Sequence, residues 1–157
     1  MTNQTAWNAA LAEEIIAGYK DIQGATLPVL HALQDAFGYI PDEAIALVAR
    51  GLNISRADVY GILTFYHDFR RSPPGRHVLQ LCRAESCQAM GGDALADHVR
   101  ERLGLDWGET RADGSVTLLP VFCLGLCACS PSALLDGRPL GRLSQERMDA
   151  LLDEVAP

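Results

Sequence analysis

The apolar positions along this chain change period once. Between Trp7 and Tyr19, Leu11, Ile15 and Ile16 recur at helical spacing, with Gly18 near the end. Thr26 is expected to cap a second helix, with Pro28 in its first turn, where a missing N–H costs nothing. That helix carries Val29, Leu30, Leu33 and Phe37 and stops at Gly38. Pro41 opens a third helix, striped by Ile45, Val48 and Ala49 and ended by Gly51. Ser55 and Asp58 have capping-box spacing before a fourth, whose buried side is expected to be Val59, Ile62, Leu63 and Tyr66. Trp7 to about Phe69 therefore reads as a compact antiparallel helical bundle with short loops.

The run Arg70-Arg71-Ser72-Pro73-Pro74-Gly75 breaks this pattern and marks a boundary. Beyond it the period shortens. His77–Cys82 reads as a strand, Ala89–Leu103 as a helix ending at Gly104, and Val116–Phe122 as a second strand. Ala133–Leu135 and Arg138–Leu140 flank Asp136-Gly137, a hairpin turn signal. Ser144 is placed to cap a last helix bearing Met148, Leu151, Leu152 and Val155, with Leu143 just before it. The expected architecture is α+β. A helical bundle over residues 1–72 precedes a β-α-β-β-β-α domain over 73–157, an α/β sandwich of thioredoxin-like type.

Charge narrows the partners. The net charge is −7 and Lys20 is the only lysine, which argues against a nucleic-acid-binding surface. An acidic surface suits docking to basic patches on another protein. Met1 to Ala12 lacks the basic and apolar regions of a leader, and no apolar run is long enough for a membrane span. A cytoplasmic location is expected. Thiols there stay reduced, so grouped cysteines point to metal binding or catalysis rather than to disulfides.

All five cysteines lie in the second half. Cys82 and Cys87 form C-x4-C; Cys123 and Cys127 form C-x3-C, with Cys129 two residues on. Each pair sits where a strand gives way to a loop. Gly91, Gly92 and Gly125 let backbone approach closely, which suits thiolates and sulfides that need N–H donors. Spacing alone leaves three readings: an iron–sulfur cluster, a structural zinc site, or buried free thiols. A thioredoxin-type redox pair would need C-x-x-C, and plant-type ferredoxins add a C-x2-C that is missing here.

The loop Cys82-Arg83-Ala84-Glu85-Ser86-Cys87, followed by Cys123-Leu124-Gly125-Leu126-Cys127, resembles the thioredoxin-like [2Fe–2S] ferredoxin family, the type of the 24-kDa subunit of respiratory complex I. Leu27–Gln34, Phe37–Pro41 and Val59–Tyr66 resemble that family's helical extension. The resemblance implies a [2Fe–2S] cluster on Cys82, Cys87, Cys123 and Cys127, and an electron-transfer role without bond chemistry of the chain's own. Within the family, the runs from Cys82 to Leu95 and from Cys123 to Gly137 are most similar to the gamma subunit of molybdenum-containing, NAD-dependent formate dehydrogenases. The equivalent subunits of complex I and of NAD-reducing hydrogenases are the nearest alternatives. This implies a flavoprotein partner binding FMN and NADH, and a molybdenum-containing catalytic subunit. FMN, NAD and the molybdenum cofactor then belong to those partners. The resemblance also makes Cys129 a bystander.

The remaining residues have plainer readings. Arg83 is expected to be an exposed loop arginine and Ser86 a helix cap or a donor to sulfur, with Glu85 beside it. His31, His67, His77 and His98 are expected at the surface or in helix packing. Tyr60, Phe65, Tyr66 and Phe69 read as a core or interface stripe, part of it a docking face for a larger subunit. No G-x-G-x-x-G fingerprint or P-loop occurs, so no nucleotide is expected on this chain.

Overall fold

A computed structural model describes residues 6–156 of the chain. The stretch Met1–Thr5, part of the region read above as lacking a leader, and Pro157 lie outside them. The described residues form two compact units that divide between Pro73 and Pro74.

The first unit holds α1 (Ala9–Ala17), α2 (Thr26–Phe37), α3 (Asp42–Leu52) and α4 (Arg56–Phe65). Helix α3 packs against the other three. Ile16, Val29, Leu30, Leu33, Phe37, Ile40, Val48 and Val59 form the core, each at most 2 % exposed. Local chemistry sets most of the ends. Asn8 Oδ1 accepts from the N–H groups of Ala10 (2.9 Å) and Leu11 (3.3 Å). Ser55 and Asp58 close the expected capping box, with Asp58 N–H donating to Ser55 Oγ at 3.0 Å. Gly38 ends α2 at φ 81°, in the left-handed region that favours glycine.

Three expectations need correction. Thr26 does not cap α2; the preceding Ala25 stands at that position and no side chain satisfies the first turn. Tyr66 is 43 % exposed, because α4 ends at Phe65 and the chain turns to bury Phe69 instead. Gly51 does not end α3. The helix runs on to Leu52, and Asn53 supplies the left-handed cap at φ 53°. Gly51 is a contact residue: a Cβ there would lie 2.3 Å from Ile16 Cγ2 on α1. Gly51→Ala is therefore expected to destabilise this unit by ~1–3 kcal/mol through overpacking, read as a lowered midpoint in denaturant unfolding followed by far-UV circular dichroism.

The second unit runs β1 (His77–Cys82), α5 (Glu85–Ala89), α6 (Gly92–Leu103), β2 (Val116–Val121), β3 (Ala133–Leu135), β4 (Arg138–Leu140) and α7 (Gln145–Val155). The sheet order is β2-β1-β3-β4. Strand β2 is parallel to β1, in register Cys82↔Val121, while β3 is antiparallel to β1, in register Leu81↔Ala133. Leu79, Leu81, Val116, Leu118, Ala133 and Leu135 meet Leu95, Ala96 and Val99 of α6 and Met148, Leu152 and Val155 of α7 in one core. The hairpin is as expected. Asp136 and Gly137 both take positive φ (52° and 79°), the requirement of a tight two-residue turn.

The expected single helix over Ala89–Leu103 is two. Gly91, at φ 88°, separates the short α5 from α6. The second strand stops at Val121, and Phe122 projects at 75 % exposure. His98 Nε2 lies 2.7 Å from Asp149 Oδ1, joining α6 to α7, and His77 Nδ1 lies 2.8 Å from Asp136 Oδ2. Both histidines thus have structural partners. Asp149 is held below the usual carboxylate range, first by the His98 hydrogen bond and then by Arg102.

Candidate metal centre

The topology brings three chain segments to one edge of the sheet. Strands β1 and β2 are parallel, so both end there; β3 is antiparallel to β1, so it begins there. Cys82 is the last residue of β1, and Cys123 follows β2 by two. Cys127 opens a single 3₁₀ turn, Cys127–Cys129, that leads through Ser130, Pro131 and Ser132 into β3. Backbone bonds lock the arrangement: Cys82 N–H donates to Ser132 O at 3.0 Å and Arg83 N–H to Val121 O at 2.8 Å.

The four expected ligands meet here as two unlike pairs. Cys82 and Cys87 are buried, at 5 % and 2 % exposure, whereas Cys123 and Cys127 are exposed. Cys123 Sγ and Cys127 Sγ are 3.8 Å apart. The backbone turns sharply to place them, with φ 76° at Cys123 and 73° at Gly125, and Gly125 N–H donates to Cys123 Sγ at 3.4 Å.

The electrostatics suit a positively charged guest. Burial pushes the Cys87 thiol up, but hydrogen bonds with Ser130, Ser132 and Cys82 and with the Ser132 backbone outweigh it, so its pKa falls below the ordinary thiol value. The Cys127 thiol is raised, first by its hydrogen bond with Cys123, then by the charge of Cys123, by desolvation, and by the charges of Cys87 and Cys82. Four thiolates in each other's field repel until cations neutralise them. Among the described residues no three His, Cys, Asp or Glu side chains converge on one ion position. A [2Fe–2S] core instead takes a pair of thiolates on each iron, so two pairs suit it.

Surrounding residues depart from expectation in two places. Arg83 is not a free loop arginine: its side chain is 22 % exposed, bonded to Asp93 Oδ1 at 2.8 Å and set 5.2 Å over the Trp107 ring. It fastens the start of the Cys82–Cys87 loop to α6. Ser86 caps no helix and reaches no sulfur. Its hydroxyl donates to Cys127 O at 3.3 Å and stands 3.0 Å from Ser130 Oγ, tying the two cysteine loops together. Ser130 and Ser132 escaped the sequence reading altogether, yet each places Oγ 3.4 Å from Cys87 Sγ. The available signal was a pair of small hydroxyl residues between the second cysteine pair and an apolar strand.

The fold is a small α/β sheet that gathers two cysteine pairs at one edge. The chain belongs to the thioredoxin-like [2Fe–2S] ferredoxin family, whose sequence pattern matches residues 12–156. Its cofactor is accordingly a [2Fe–2S] cluster, and the zinc and free-thiol readings give way to it. Among curated relatives, a subunit of the NADH-quinone oxidoreductase of Pseudomonas aeruginosa is 35% identical over 135 residues, 86% of this chain and 81% of that protein. The subunit of the same kind from Rhizobium meliloti is 39% identical over 141 residues, 90% of this chain and 84% of that protein. Among solved structures, an NAD+-reducing [NiFe]-hydrogenase superposes with a TM-score of 0.72 and 26% identity. That match covers 83% of this chain but only 22% of the hydrogenase chain.

Proposed function

We propose that Cys82, Cys87, Cys123 and Cys127 are the four ligands of the cluster, and that the chain is the electron-transfer subunit of an NAD-linked oxidoreductase. The observation that carries this is the meeting of two thiol pairs, on loops from adjacent parallel strands, within each other's electrostatic field. When bound, the cluster supplies a one-electron store at low potential, on the order of −400 mV by analogy with plant-type centres. The residues of the chain hold it, exclude water from the Cys82–Cys87 side, and leave the Cys123–Cys127 side open to an electron donor or acceptor.

The partner in this reading is a flavin-bearing, NADH-binding subunit, where hydride chemistry is split into single electrons. The relatives named above support an NAD-linked assembly. The helical unit over residues 1–72 serves docking, with Tyr60 (52 % exposed) and Phe65 (73 %) on offer. The parent enzyme is an NAD-dependent formate dehydrogenase in the cytoplasm, with a molybdenum-containing catalytic subunit; the similarity of the Cys82–Leu95 and Cys123–Gly137 runs supports it. Among the described residues no helix is long and apolar enough to cross a membrane. A second reading, the equivalent subunit of an NADH–quinone oxidoreductase or an NAD-reducing hydrogenase, draws on the names of the relatives. Purifying the complex on a tagged full-length chain separates them. Formate-dependent NAD reduction in a molybdenum-containing complex is expected. Hydrogen-dependent NAD reduction, or NADH-dependent quinone reduction without formate activity, overturns the formate assignment.

A further inference from the structure

Two serines border Cys87, and their hydroxyls are differently engaged. Ser130 Oγ donates to Cys127 O at 3.0 Å, and Ser86 Oγ, which reaches the same carbonyl, lies 3.0 Å away. The Ser130 proton is thus already committed to bracing the loops. Ser132 is 3 % exposed, and its carbonyl accepts from Cys82 N–H at 3.0 Å. Among the described residues, Cys87 Sγ at 3.4 Å is the one hydrogen-bond partner of its hydroxyl.

A buried hydroxyl without a partner is costly, so this one must bond to sulfur. A free thiol can accept that bond or donate it. A ligand thiolate carries no proton and only accepts, which makes Ser132 the donor. Such a bond counts for more as negative charge builds on the sulfur, and charge builds when an electron arrives. We infer that Ser132 is a positioning residue that raises the reduction potential of the cluster through its hydroxyl bond to Cys87 Sγ. In the redox step one electron enters from the flavin-bearing partner, or from dithionite in a titration. No bond forms or breaks, and the proton stays on the Ser132 oxygen. The inference rests on the proposed role of Cys87 as a ligand.

The test is a mediator-assisted redox titration of the cluster-loaded full chain, followed by electron paramagnetic resonance. Ser132→Ala keeps the backbone N–H and removes only the hydroxyl. At a fixed ambient potential the ratio of reduced to oxidised cluster is expected to fall about tenfold, 59 mV for a one-electron couple. Ser132→Thr and Ser132→Val form a second pair of equal shape that differs by hydroxyl against methyl, and they carry the test where the alanine variant does not load. The Thr variant is expected to stay within about threefold of the parent and the Val variant to fall about tenfold below the Thr. Equal potentials in fully loaded Thr and Val variants overturn the role of Ser132 while leaving the ligand set standing. An unchanged resonance spectrum in Cys87→Ser would instead sink the ligand assignment beneath it.

Discussion

Replacing Cys87 with alanine is expected to abolish the cluster, taking iron and acid-labile sulfide from two each per chain to near zero and removing the resonance signal of the reduced protein. Cys87 is 2 % exposed and sits among hydroxyl and thiol partners that favour its thiolate, so no water or surface side chain can take its place. Cys127→Ala is expected to have the same result from the exposed side. The control is Cys129→Ser, which should keep both the iron and the spectrum. Although Cys129 follows Cys127 by two, it packs elsewhere: a Cβ on Gly141 would lie 2.7 Å from Cys129 Cβ, and Cys129 O accepts from Arg142 N–H at 2.6 Å. Loss of iron in the Cys129 variant, with retention in the Cys87 variant, would reassign the fourth ligand.

The second large effect is expected from a residue with no side chain. A Cβ on Gly92 would lie 2.5 Å from Cys87 O and 2.8 Å from Cys87 C. These are main-chain atoms, so no rotamer change relieves the contact. Gly92→Ala must either push α6 off the sheet or move the Cys87 loop. Overpacking of this kind costs roughly 1–3 kcal/mol, and here part of it falls on the Cys87 main chain. The expected outcome is a lowered unfolding midpoint together with iron occupancy well below that of the parent, measured on the same preparation. Full occupancy with an unchanged midpoint would mean that the loop has slack. By contrast, Gly91→Ala meets no atom within 4 Å and strains only its positive φ of 88°, so it should be milder.

Much of this was legible in the sequence because period and punctuation are local signals. The switch from helical to alternating apolar spacing located the boundary before β1, and Asp136-Gly137 announced the β3–β4 turn. The cysteine pairs were legible as strand-end loops for the same reason. What escaped was set by contacts distant in sequence. Gly51 looks like a helix stop until Ile16 is seen against it. Arg83 looks like a surface charge until Asp93 and Trp107 close over it. The break between α5 and α6 hides in Gly91-Gly92, where one glycine turns the chain and the other admits the Cys87 backbone. Ser130 and Ser132 resemble ordinary loop residues, and only the antiparallel entry of β3 beside β1 sets them against Cys87.

The parallel pairing of β1 with β2 has a consequence for how such a chain can change over evolutionary time. The cysteine pairs hang from the ends of neighbouring strands about 4.8 Å apart, held by the Cys82↔Val121 register. The turn closed by Gly114 N–H and Arg111 O stands at the start of β2, the opposite end of that strand from Cys123, so insertions there lengthen the spacing between the pairs in sequence without parting them in space. A single residue inserted within β2 would do the opposite. It would shift the register by one, turn alternate side chains to the other face and swing Cys123 off the site. Across descendants of this chain, the gap between the two cysteine pairs should vary in length at that turn, while the placing of Cys82 at the end of β1 and of Cys123 two residues past β2 should not.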